Sequence, residues 1–234
     1  MDNIPDRDRV IVALDVPTVG EAETIIDRIG DAANFFKIGY QLAPIGGFDL
    51  AQRLTASGKK VFLDLKYHDI GATVEKGVRS VCALGTDFLT VHAEDHVMAA
   101  AVAGRDDDPR LKIMAVTVLT SLSQADIDAS GYSIKLEDLV LKRARRAVEL
   151  GVDGVIASPQ EAARIRAEVG DALLIATPGV RPLGASLDDQ KRVATPSDAR
   201  AAGANYVVVG RPITKADDPH AATQEIVAAM AKTA

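Results

Sequence analysis

Asp64, Lys66 and Asp69 fall within the stretch Lys60-Val-Phe-Leu-Asp-Leu-Lys-Tyr-His-Asp-Ile-Gly-Ala-Thr73, and the first two interrupt an apolar run. Val61, Phe62, Leu63 and Leu65 have the composition of a strand enclosed on both faces. Side chains alternate along a strand, so Phe62, Asp64 and Lys66 share one face while Val61, Leu63 and Leu65 share the other. A carboxylate and an ammonium therefore project together from the carboxyl end of a buried strand, with Asp69 just beyond. Buried charge is unfavourable unless paired, and strand ends are where parallel α/β proteins hold their chemistry. Carboxylates beside a lysine keep it charged, which excludes the neutral amine that a Schiff base demands. What remains is a proton donor and electrostatic clamp, suited to stabilising and then protonating a carbanion. An ion pair that merely staples one strand to its neighbours is the simpler alternative.

Eight strand-then-helix units position these groups. Strands are expected over Val10–Asp15, Asn34–Gly39, the run from Val61, Asp87–His92, Leu111–Thr117, Gly154–Ala157, Ala172–Ala176 and Tyr206–Gly210. Helices are expected over Thr18–Ile29, Phe48–Ser57, Ile70–Leu84, Asp95–Ala103, Lys135–Leu150, Gln160–Val169, Ser197–Ala202 and Pro219–Ala231. This alternation, without a linker or composition break, predicts an α/β fold: a single (β/α)8 TIM barrel over residues 1–234. A doubly wound open sheet is the alternative, but it would not need eight units. The connections Leu119–Ile134 and Thr177–Pro196 are too long to be mere joints, and both are expected to cover a ligand.

In a barrel the strand ends gather Asp15, Lys37, Asp64, Lys66, His92, Thr117 to Thr120, Ser158, the Thr177-Pro-Gly-Val-Arg181 turn and Gly210-Arg211. Lys37 with Asp64, Lys66 and Asp69 makes a set of two acids and two ammonium groups. Gly210 allows backbone N–H groups to approach an anion, and Arg211 offers a bidentate fork. Barrels often seat phosphate after strands seven and eight, within reach of Arg181 and Gln190.

A net charge of −6 argues against general affinity for nucleic acid or anionic membrane, so an anionic ligand must be met by local cations. With aromatics at 4% and no Trp, no stacking platform for bases or sugars is evident. The single Cys82 excludes an internal disulfide and is expected in the core of a protein in a reducing cytoplasm. No apolar run approaches transmembrane length, and the first residues are polar, so a soluble cytoplasmic chain is expected. Lysines flank the candidate carboxylates, so no metal is expected. Gly-x-Gly-x-x-Gly and P-loop motifs are missing, which argues against nucleotide cofactors. His68 is expected to face away from Lys66 and Asp69, His92 to be a supporting residue, and His96 and His220 to lie at the surface. Lys142, Arg143, Arg145 and Arg146 read as a solvated helix face.

These residues also carry a resemblance. Phe62-Leu-Asp-Leu-Lys-Tyr-His-Asp-Ile70, with Leu14-Asp15, Phe36-Lys-Ile-Gly39, Thr90-Val-His-Ala93, Val118-Leu-Thr-Ser121, Thr177-Pro-Gly-Val-Arg-Pro182 and Val209-Gly-Arg-Pro-Ile213, resembles the orotidine 5′-phosphate decarboxylase family in order along nearly the whole chain. Gly71-Ala72 stands where many members have Pro-Asn, with Thr73 retained. The resemblance implies a homodimeric, cofactor-free lyase that makes uridine 5′-monophosphate and CO2 from orotidine 5′-monophosphate in pyrimidine biosynthesis. It implies Lys66 as proton donor, with Lys37, Asp64 and Asp69 completing the charged array and Asp69 lent to the neighbouring subunit's site. By the same resemblance Asp15 and Lys37 hold the ribose, and Thr120 and Ser121 approach the pyrimidine. Ile70 and Thr73 join the substrate-binding set, while Arg181, Gln190, Gly210 and Arg211 take the phosphate. The Asp-x-Lys-x-x-Asp core is shared with metal-dependent sugar-phosphate barrels such as hexulose-phosphate synthases. Chemistry of that kind, and a non-catalytic phosphate-binding barrel, remain the alternatives.

Overall fold

Eight parallel strands close on themselves in the computed structural model, which describes residues 4–106, 108–181 and 194–231. They are β1 (Val10–Ala13), β2 (Phe35–Gly39), β3 (Lys60–Tyr67), β4 (Phe88–His92), β5 (Lys112–Val116), β6 (Gly154–Ile156), β7 (Leu174–Pro178) and β8 (Tyr206–Val209). Each pairs with its neighbours in sequence, and β8 returns to β1 with Val209 opposite Val12, which removes both sheet edges. The helices are α1 (Val19–Ile29), α2 (Gly47–Ala56), α3 (Gly71–Cys82), α4 (Asp95–Arg105), α5 (Gln124–Ala129), α6 (Leu136–Glu149), α7 (Pro159–Val169), α8 (Pro196–Ala201), α9 (Arg211–Thr214) and α10 (Pro219–Ala231). The expected (β/α)8 barrel is the observed one.

Period-two alternation in buried strands creates two apolar layers. Outward residues such as Val12, Phe36, Ile38, Leu63 and Leu89 pack against Ile25, Leu50, Val78 and Met98 of the helices. Inward residues, among them Phe35, Phe62, Phe88, Met114, Ile156 and Tyr206, fill the barrel. Phe35 meets Phe88 edge-on with centroids 4.9 Å apart, and Tyr206 lies 5.1 Å from Phe88. A Cβ at Gly154 would stand 2.7 Å from the Leu174 carbonyl oxygen, so β6 fits here only without a side chain. This aromatic floor dictates what lies above it. Alternation sets Lys37 two residues after Phe35, Asp64 after Phe62 and Thr90 after Phe88, all one layer nearer the carboxyl end.

Several details depart from the sequence pattern. The segment Leu119–Ile134 is not a bare loop, because α5 forms within it, opened where Ser123 N donates to Asp126 Oδ2 at 2.7 Å. Only Ile127 of α5 is buried, so the helix is too short to carry a periodic signal. The basic face of α6 is not simply solvated. Arg143 is half-buried and donates to Glu94 at 2.7 Å and to the Thr117 carbonyl, while Arg145 pairs with Glu168 at 2.7 Å and Arg146 with Asp95 at 2.9 Å. Acids on the flanking α4 and α7 turn toward these arginines, which no local pattern reveals. Cys82 is half-buried at the end of α3, where burial raises its thiol pKa. His220 is half-buried too, with Nδ1 2.8 Å from the Ile29 carbonyl oxygen. Among the described residues no helix is long and apolar enough to cross a membrane.

Candidate active site

The carboxyl ends of the strands open into a cavity of about 490 Å³. Asp15, Lys37, Asp64 and Lys66 reach it from the β1–β3 sector, and Arg181, Gly210 and Arg211 from the connections after β7 and β8. Phe62, Val116 and Ile156 supply apolar wall between them.

The four charged groups form one alternating chain. Lys37 Nζ lies 2.9 Å from Asp15 Oδ1 and 3.4 Å from Asp64 Oδ2, and Lys66 Nζ lies 2.7 Å from Asp64 Oδ1. Burial pushes the Asp64 pKa up, but the charges of Lys37 and Lys66, with hydrogen bonds from Lys66 and Thr90, outweigh it. The net result is a carboxyl held below its ordinary range. A Cβ at Gly39 would stand 3.2 Å from Lys37 Nζ and 3.4 Å from Asp15 Oδ1, so the small residue leaves room for that pair.

Within the chain the second acid of the array is Asp15, not Asp69. Beyond Lys66 the backbone leaves the barrel mouth, so Asp69 sits exposed in the following turn with Oδ1 accepting from Ile70 N at 2.6 Å. Ile70 and Thr73 are exposed as well, and neither lines the cavity. Thr120 does line it, whereas Ser121 is exposed in an outer groove beside Ser123 and Lys135. Gln190 lies outside the described residues.

Two contributors escaped the sequence reading. Tyr40 Oη donates to the Leu65 carbonyl at 2.8 Å, and its ring centroid is 5.7 Å from Lys66 Nζ. Thr90 is fully buried, and its Oγ1 accepts from Lys66 N and donates to Asp64 Oδ1, both at 2.9 Å. A polar residue at an inward position of an apolar strand was the available signal for Thr90.

The histidines are closer together than their spacing suggests. His68 is exposed and does not line the cavity, and its ring centroid lies 5.1 Å from that of His92, which is half-buried. Burial chiefly lowers the His92 pKa, against an opposing pull from Glu94. With Glu94 these two rings bring three ligand-type atoms within 4.8 Å of one another. The adjacency comes from β3 and β4 being neighbours, so ligand spacing in sequence could not reveal it. Arg143 already engages the Glu94 carboxylate at 2.7 Å, a cation where a metal ion would need negative charge.

The cavity thus offers a fixed ammonium, held by carboxylates, and arginines at another sector of its wall. It suits a ligand that carries an anionic group. The sequence model of the Orotidine 5'-phosphate decarboxylase / HUMPS family matches residues 8–226. A protein of Methylorubrum extorquens (strain PA1) named Orotidine 5'-phosphate decarboxylase is 60% identical over 224 residues, covering 96% of both chains. One of Rhodopseudomonas palustris (strain BisA53) with the same name is 55% identical over 227 residues, covering 97% of this chain and 96% of that one. Among solved structures, the orotidine 5'-phosphate decarboxylase from Lactobacillus acidophilus has a TM-score of 0.85 at 36% identity, covering 96% of this chain and 100% of that one.

Proposed function

The chain belongs to the orotidine 5'-phosphate decarboxylase / HUMPS family, and from that membership we propose that it converts orotidine 5′-monophosphate to uridine 5′-monophosphate and CO2. The observation that carries the proposal is the Asp15–Lys37–Asp64–Lys66 chain in a cavity that Arg181 and Arg211 also line. Breaking the bond between C6 and its carboxylate releases CO2 and leaves the electron pair on C6. Lys66 then delivers its proton to C6, and the amine is recharged from solvent. An ammonium about 4 Å from that carbon stabilises the anion by roughly 4 kcal/mol at an effective dielectric of about 20. The stabilisation needs no reorganisation, because the ammonium is already fixed by Asp64. Asp64 beside the departing carboxylate plays a supporting role, and the proton inventory balances without a cofactor or metal.

Asp15 and Lys37 are assigned to the ribose, Thr120 and Ser121 to the pyrimidine. Arg181, Gln190, Gly210 and Arg211 are assigned to the phosphate, whose charge an acidic protein must meet locally. Asp69, exposed and turned from its own cavity, is assigned with Ile70 and Thr73 to the site of a second copy in a two-fold dimer. The whole chain then acts as one catalytic barrel. Adding orotidine 5′-monophosphate to EDTA-treated protein tests the proposal. A pyrimidine absorbance change with release of CO2 is expected. No turnover refutes it, and turnover that returns only with Mg2+ refutes the metal-free mechanism.

A further inference from the structure

Lys66 holds its place in an unusual way. Its backbone has φ 44°, and only Asp106 among the other described non-glycine residues has positive φ. Residues with a Cβ rarely adopt that conformation, and it persists where the surroundings hold it. The ladder explains why it arises. Leu63 stands opposite Leu89, but the next aligned pair is Tyr67 with Val91, so residues 64–66 bulge against Thr90 alone. The Lys66 N–H, withdrawn from the ladder, donates instead to Thr90 Oγ1 at 2.9 Å. The same hydroxyl donates to Asp64 Oδ1 at 2.9 Å, and that oxygen also accepts from Lys66 Nζ at 2.7 Å. Thr90 exposes no surface, so water does not substitute for either bond.

We infer that Thr90 is a positioning residue for the reaction: one buried hydroxyl fixes both the bulged backbone of Lys66 and the carboxylate that holds its ammonium. This rests on the decarboxylase reading above. A hydroxyl is the group the position requires, because its oxygen must accept from a backbone N–H while its hydrogen serves a carboxylate. Thr90 is not in the cavity wall, so it acts on substrate only through Lys66 and Asp64.

Thr90→Val keeps the shape and removes the hydroxyl, Thr90→Ala removes it without bulk, and Thr90→Ser keeps it. Each is measured for kcat, KM, affinity for uridine 5′-monophosphate and thermal unfolding. In Val and Ala, kcat is expected to fall about 10- to 100-fold, the range for hydrogen bonds to charged groups. KM and product affinity change little, because Arg181, Gly210 and Arg211 are untouched, and Ser recovers most of the loss. Unchanged kcat in Ala or Val, an equal loss in Ser, or an effect confined to KM overturns the inference. If wild type itself fails to turn over the substrate, the decarboxylase reading falls alone. Crystal structures of the Val and Ala variants then decide the positioning role. Return of Lys66 to negative φ with loss of its Asp64 contact supports it, and an unchanged pair refutes it.

Discussion

Replacing Lys66 by Met removes one positive charge and one proton donor while nearly conserving side-chain volume. Asp64 is not orphaned by the change. Lys37 remains 3.4 Å from its Oδ2, and Thr90 still donates to Oδ1 at 2.9 Å. The fold is therefore expected to survive, with an unfolding temperature near that of wild type. Catalysis is not. Loss of an ammonium worth roughly 4 kcal/mol at about 4 Å corresponds to a factor of about 10³. General acid catalysis contributes typically about 10²–10⁴ more. The two effects reside in one group and are not additive, so kcat is expected to fall by at least about 10³. Affinity for orotidine 5′-monophosphate should drop as well, since Asp64 then faces the substrate carboxylate with one cation fewer. Affinity for uridine 5′-monophosphate, which lacks that carboxylate, should persist through the arginine seat. The assay pairs the absorbance change on decarboxylation with calorimetric titration of the product. A folded Lys66→Met protein that binds product and turns over within about tenfold of wild type would refute Lys66 as proton donor.

Three further outcomes are expected. Mixing inactive Lys66→Ala with inactive Asp69→Ala under subunit exchange should restore about a quarter of wild-type activity, since half the dimers are mixed with one intact site each. Proven exchange without recovery would place Asp69 in its own subunit's chemistry. Arg211→Ala should weaken capture of the phosphorylated substrate by roughly 1.5–3 kcal/mol while hardly affecting a substrate lacking the phosphate; equal losses would make Arg211 a structural residue. His92, whose pKa burial lowers, stays neutral in the fold at pH values where the unfolded chain binds a proton. Stability should thus decline as pH falls from about 6.5 toward the folded-state pKa, and His92→Gln should flatten that slope. A His92 resonance titrating above its ordinary value would contradict this.

Alternation along single strands made much of the site legible. The Lys60–Thr73 stretch placed Asp64 and Lys66 on one face, and eight repeated units implied a closed barrel with charged strand ends. Lys37 follows from the same logic as a charge inside the apolar β2, and Asp15, Arg181, Gly210 and Arg211 as polar residues in the connections just beyond β1, β7 and β8. Such inferences need only the chain's own periodicity, which is a local property.

Contacts between strands are another matter. Asp15 meets Lys37 across 22 residues and Thr90 meets Asp64 across 26, and both depend on how parallel neighbours align. Asp15 rather than Asp69 completes the array within the chain because β1 and β2 lie side by side, whereas the turn after β3 carries Asp69 outward. Likewise His68 meets His92, and Arg143 is drawn in by Glu94, through adjacency that closure of the barrel imposes. The bulge at Lys66 had no sequence marker, since no glycine signals its left-handed backbone. Residue type along a strand sets which face a side chain takes; register and closure set what it meets there, and those are fixed only when all eight strands pack together.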